Sequence, residues 1–260
     1  MFAADRLSRR VAELDGESGY FAHPDGDLAQ FIWVIETVVH TYEPLDLATN
    51  TLAAEDADEL LRRSRLLDRL SRDLPQLTDG PLDRFAQHWV ATGKPPGRAT
   101  QVNYTPQESC FIPVARVTHP ITGAKPFYVG LFTSTAVAGS GMWRYYLRRY
   151  EDSSFLHLRP WYTWHLQPRH EARIYEIRDA TAWVRLITTH PRVEAGFVHP
   201  DWLTISEHWD AVHITLRVIA AAQGIFFTTA LGPTPAPYWD VESTFWLNWC
   251  FTASTFIEEE

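Results

Sequence analysis

The chain has 260 residues, a formal charge of −9 at pH 7, and 45% hydrophobic against 21% charged residues. That balance supplies enough apolar surface to offset the entropy of ordering the chain, which excludes global disorder. The acidic excess is spread along the sequence, which excludes a broad basic face for a phosphate backbone. Only Cys110 and Cys250 are present, so neither a disulfide framework nor a zinc ribbon is available.

Met1 to Leu14 carries Asp5, Arg6, Arg9, Arg10 and Glu13 among its apolar residues, a pattern no signal-peptide core tolerates. No apolar run reaches the roughly 20 residues of a membrane span. The expected setting is therefore cytoplasmic, without a membrane partner. The first third reads as three or four helices. Leu28, Phe31, Ile32, Ile35, Val38, Val39 and Tyr42 form one stripe at helical spacing, with Asp27 as N-cap and Pro44 as stop. Asp56 to Leu74 reads as a helix with Leu60, Leu67, Leu70 and Leu74 on one face. Its Asp58/Arg62, Glu59/Arg63 and Asp68/Arg72 spacings suit i,i+4 pairs on a solvated surface.

Pro81 to Val90 reads as a shorter helix, followed by the linker signal Thr92-Gly93-Lys94-Pro95-Pro96-Gly97. A boundary here divides the chain into a helical N-terminal subdomain, residues 1–95, and a body, residues 96–260. The body is rich in β-branched and aromatic residues. Strands are expected over 111–118, 127–133, 173–178, 211–216, 225–230 and 245–251, and helices over 143–150, 181–189 and 202–209. The chain holds eleven Trp, ten Tyr and fourteen Phe, which build a core or line a cleft for a flat ligand.

Three elements of the body carry candidate chemistry. Arg116 lies in the expected strand Pro113-Val114-Ala115-Arg116-Val117. A second strand runs into Phe132-Thr133-Ser134-Thr135, ahead of the helix at Trp143. An acidic pair, Asp240 and Glu242, stands at the mouth of an aromatic strand in Trp239-Asp240-Val241-Glu242-Ser243-Thr244-Phe245-Trp246. This order resembles the mono-ADP-ribosyltransferase family, whose pattern is a strand Arg, a Ser-Thr-Ser strand end and a Glu preceded two residues earlier by Gln or Glu. The resemblance spans Cys110 to Phe251 in element order, and Arg116, Thr133 to Thr135, Asp240 and Glu242 in motif residues.

The resemblance implies an α+β fold with a mixed two-sheet, ADP-ribosyltransferase-like body. It also implies NAD as substrate, and transfer of ADP-ribose to a macromolecular acceptor or hydrolysis of NAD. Glu242 would stabilise the ribosyl cation, and Asp240 would face the acceptor. Arg116 would hold the pyrophosphate. Ser134, between Thr133 and Thr135, would fix Glu242, and Trp143 would stack a flat ring. Whether such a protein acts as a toxin, a regulator or a metabolic modifier stays open.

Each residue also has a plainer reading: Arg116 as a strand surface charge, the hydroxyls as ordinary strand residues, the aromatics as core. His199-Pro200-Asp201 with His208 and His213 offers imidazole and carboxylate for a metal. These groups fall on different expected elements without convergent spacing, so no metal site is expected. The alternative to catalysis is a ligand-binding or protein-interaction module with an aromatic-rich cleft, whose N-terminal helical segment docks a protein partner.

Overall fold

The computed structural model describes residues 3–16, 28, 51–93, 105–116, 129–149, 158–222, 224–235 and 239–260. The expected helix over 28–42 lies outside them except for Leu28, as does most of the expected linker. In chain order the elements are α1 (Ala3–Leu14), β1 (Thr51–Leu52), α2 (Ala54–Leu61), α3 (Arg65–Asp73), α4 (Pro75–Thr78), β2 (Gln87–Gly93), β3 (Leu131–Val137), β4 (Ser140–Gly141), α5 (Met142–Arg149), β5 (Leu158–Pro168) and β6 (Ile174–Ile177). Then follow α6 (Ala180–Thr189), β7 (Pro191–Glu194), β8 (Phe197–Pro200), α7 (Trp202–His208), β9 (Ala211–Ile214), α8 (Leu216–Ala222), β10 (Phe226–Thr229), β11 (Gly232–Pro235), β12 (Ser243–Trp246) and β13 (Phe251–Glu259).

The protein is α+β. Its main sheet has eight strands, ordered β13-β5-β2-β3-β12-β9-β6, with β4 paired to β3. Every neighbouring pair along that order is antiparallel except β9 and β6. A second sheet, β1-β10-β11, and the β7–β8 hairpin complete the strands seen among the described residues.

Successive side chains of a strand point to opposite faces, and the two faces of the main sheet carry different cores. On one, Val212, Ile214 and Phe245 join Trp183 of α6, Trp202 of α7 and the leucines of α1 to α3 in the larger cluster. On the other, Ala211 and Trp246 pack with Leu166, Phe251, Cys250 and Phe111. Alternation along β9 and β12 thus sorts residues between the two layers. The turn from β3 to β4 has positive φ at Ala138 (50°) and Gly139 (82°), the backbone twist that suits a two-residue hairpin.

Several features of the N-terminal third differ from expectation. Residues 87–93 are a strand, not a helix, and β2 sits between β5 and β3 inside the main sheet. Thr51 and Leu52 pair in parallel with Phe226 and Phe227. The division at 95/96 therefore does not separate the strands of the body from the segment before it. Likewise the expected helix over 56–74 is two helices. Ser64 breaks it by accepting a hydrogen bond from the Leu67 N–H at 3.2 Å. Asp15, at the end of α1, accepts from the N–H groups of Arg65 and Leu66 at 3.0 and 2.9 Å.

Asp58 is the second surprise in that segment, because it does not pair with Arg62. Glu59 takes Arg62 and Arg63, at 2.5 and 3.8 Å. Asp58 instead reaches α6, where it accepts from the N–H groups of Ala180 (2.7 Å) and Thr181 (3.1 Å) and from the Thr181 hydroxyl (2.6 Å). Those are first-turn donors with no partner inside their own helix. Replacing Asp58 with Ala should lower stability by about 1–2 kcal/mol, as for loss of other helix caps, which chemical denaturation would measure. A loss no larger than that from Glu59→Ala would show that the cap contributes nothing.

Candidate functional site

β3 carries Thr133, Ser134 and Thr135 at its middle rather than at its end, and all three are completely buried. Alternation sends Thr133 and Thr135 to one face and Ser134 to the other. On the Ser134 side, the hydroxyl accepts a hydrogen bond from the Trp143 N–H at 3.2 Å, at the start of α5. Space there is tight. A Cβ on Gly141 would come within 3.0 Å of both the Ser134 hydroxyl and the His88 Cβ, so only glycine lets α5 begin so close to the sheet.

On the other face the threonines enter a sealed polar network. The Thr135 N–H donates to Glu242 Oε2 at 2.9 Å, and its hydroxyl donates to Oε1 at 2.7 Å. Thr135 Oγ1 also accepts from Gln87 Nε2 at 3.2 Å, and Thr133 donates to Gln87 Oε1 at 2.6 Å while accepting from the Trp246 indole at 2.9 Å. His213 completes the group, with Nδ1 3.5 Å from Glu242 Oε1 and 3.1 Å from the Thr244 hydroxyl. Gln87, Thr133, Thr135, His213, Glu242, Thr244 and Trp246 are all 0% exposed.

Burial governs the charge of this group, because a charged form loses its hydration when it leaves water. It pushes the Glu242 carboxyl up to about 8, only partly offset by the two Thr135 bonds. It pushes the His213 imidazole down to about 3. Near neutral pH the pair is a protonated acid beside a neutral imidazole. The network as a whole ties four strands, β2, β3, β9 and β12, through hydrogen bonds without a net buried charge.

The remaining residues expected at a site lie elsewhere. Arg116 is not in a strand: it ends a short 3-10 turn, Val114–Arg116, and is exposed. A completely buried Glu242 and an exposed Arg116 do not line one open cleft. Asp240 and Glu242 both precede β12, so strand alternation does not set their directions. Asp240 is half-buried while Glu242 is sealed. The carboxylate is fixed by Thr135 and not by Ser134. Trp143 is half-buried against the main core, edge-on to Tyr146.

The aromatic wealth of the sequence also goes largely inside, since Trp161, Trp183, Trp202, Trp239 and Trp246 are fully buried. The histidines disperse. His199 lies on β8, His208 ends α7 against His190 at 5.2 Å between rings, and His213 joins the internal network. Among the described residues no group of three or more His, Cys, Asp or Glu is placed to hold a metal, and no helix is long and apolar enough to cross a membrane.

Sequence reading missed His213 beside Glu242 and Gln87 as the partner of Thr133 and Thr135. His213 is a polar residue in a strand buried on both faces, and that conflict was the available signal; Gln87 lay in a stretch read as helix. Missed as well was Arg144 on α5, a completely buried guanidinium. Its Nη1 lies 2.6 Å from Glu258 and 2.5 Å from the Thr163 hydroxyl, and its Nη2 contacts Glu260. Arg148 and Arg159 reach the same Glu260 at 3.3 and 3.2 Å. Compared with protein families, with curated proteins and with solved structures, the chain matches none.

Proposed function

We propose that this chain acts by binding, as an interaction module, and that Glu242 serves its architecture. The observation that carries this reading is the sealing of Glu242. A carboxylate that stabilises a ribosyl cation must touch substrate and carry negative charge. Glu242 has no exposed surface, satisfies both oxygens on Thr135, and keeps its proton near neutral pH. The exposed apolar residues, by contrast, include Phe85, Ile112, Val193, Leu203, Leu231, Phe256 and Ile257.

A second reading, NAD-dependent ADP-ribosyl transfer or NAD hydrolysis, is favoured by one specific observation. The strand of hydroxyl residues and the strand after the acidic pair are direct antiparallel neighbours, and the Glu242 carboxyl bonds Thr135. That reading requires the network to open and admit substrate. Incubation with NAD and measurement of released nicotinamide separates the two. On the binding reading, release stays at the uncatalysed background in both the natural chain and Glu242→Gln. Release that drops on the order of 100-fold in Glu242→Gln would establish the transferase or hydrolase reading and overturn the first.

A further inference from the structure

β13 is the terminal strand of the main sheet, hydrogen-bonded to β5 on one side only among the described residues. Thr252 to Glu259 are exposed without alternation, and Phe256 and Ile257 remain 46% and 43% exposed although Phe256 meets Trp164 edge-on and Glu258 pairs with Arg144. An edge strand presents a row of unpaired N–H and C=O groups, and proteins guard such edges with lysine, proline or inward charge. From Phe251 to Ile257 this strand carries none of these; its charges begin at Glu258.

We propose that two copies of this chain pair through β13, antiparallel about a two-fold axis at Thr255, so that the main sheet continues across a homodimer. This goes beyond the binding reading and stands whether or not the chain handles NAD. The residue pattern selects both the partner and the direction. With Thr255 opposite its own copy, Phe256 faces Ser254 and Ile257 faces Ala253, so each large apolar side chain meets a small one. The acidic ends decide between directions. A parallel pairing would set Glu258 and Glu259 beside their copies, whereas the antiparallel one holds the two Glu258 residues about 20 Å apart, beyond the screening length at physiological salt.

The same register places Glu259 of one copy opposite Phe251 of the other. Phe251 pairs with Pro168, and the next residue, Arg169, is exposed and joins no ion pair among the described residues. Its backbone N–H is anchored to the Cys250 carbonyl at 2.7 Å, so it follows β5 two strand spacings, about 10 Å, from the partner's β13, a gap that an arginine and a glutamate side chain together can span. Each interface therefore closes with two such complementary contacts, as a two-fold axis requires.

Sedimentation equilibrium of the full chain over a concentration series tests the proposal. The expected mass at high concentration is twice the 29.9 kDa of one chain. Thr255→Lys sets two like charges against each other on the axis and should weaken the dimer at least about tenfold. Glu259→Arg and Arg169→Glu should each weaken it, and the two changes together in one chain should restore it. That rescue is a readout which no loss of folding can imitate. A natural chain that stays monomeric at the highest concentration overturns the proposal. So does a dimer that neither Thr255→Lys nor the single charge reversals disturb, which would place the interface on another face.

Discussion

Stability measured against pH should peak near pH 6.5 and fall from there to pH 8, and Glu242→Gln should abolish that part of the fall. The folded carboxyl titrates at about 8 against an ordinary 4.5. Between those values the native state holds a proton that the unfolded chain has released, so stability is lost as pH rises through the window, by about 1.4 kcal/mol per pH unit. His213 and His88 have the opposite sign. Burial lowers them from 6.5 to about 3 and about 4, so the unfolded chain takes up their protons first and stability falls as pH drops below 6.5.

From pH 4.5 to 6.5 the two histidines outweigh Glu242. From 6.5 to 8 the Glu242 carboxyl lies between its unfolded and folded values while the two histidines are neutral in both states, and the loss across that span is about 2 kcal/mol. Urea titrations at a series of pH values would measure it. An alkaline limb that persists unchanged in Glu242→Gln would place the titrating group elsewhere and remove the argument that this acid is neutral.

Neutralising the C-terminal glutamates should be more damaging than their exposure suggests. Arg144 has no exposed side-chain surface and finds its counter-charge on Glu258 and Glu260, which are 45% and 27% exposed. A buried ion that loses its partner costs about 3–5 kcal/mol. Water near the two glutamates screens part of the interaction, so the double change Glu258→Gln with Glu260→Gln should cost about 3 kcal/mol, at the lower end of that range. Adding Arg144→Met removes the stranded cation and should recover most of the loss, because an apolar side chain of similar length suits the site. A double variant within about 1 kcal/mol of the natural chain would mean that Arg144 is satisfied without these acids.

Local pattern made some elements legible from the sequence. The amphipathic stretches that became α6 and α7, and the short β-branched runs that became β6, β9 and β10, each fold where their own residues direct. Residues 81–90 did not, because Leu82, Phe85 and Trp89 fall at helical spacing although the chain crosses the sheet from Gln87 onward. β5 was hidden by the prolines at 160 and 168 and by its mixture of His, Arg and Trp. β13 was hidden by exposure on both faces, which erases the alternation that marks a strand.

The candidate site was half legible for a related reason. That Glu242 is special could be read from its aromatic surroundings, since an acid there is costly to bury unpaired. The network around it depends on strand register, through Gln87 opposite Thr135 and His213 opposite Thr244. Register is a property of the assembled sheet and not of any one segment.

The position of β2 has a consequence for how the chain reaches this state. β2 is made early, but one of its two neighbours comes more than sixty residues later, and β1 waits for β10 until after residue 225. Arg10, from α1, is anchored to the Ala220 carbonyl. Contacts of such long sequence separation close loops before they are rewarded, and folds built on them form slowly. A ribosome releasing this chain would hold much of it unassembled until the C-terminal strands emerge, so separate expression of the two halves should yield aggregation-prone fragments.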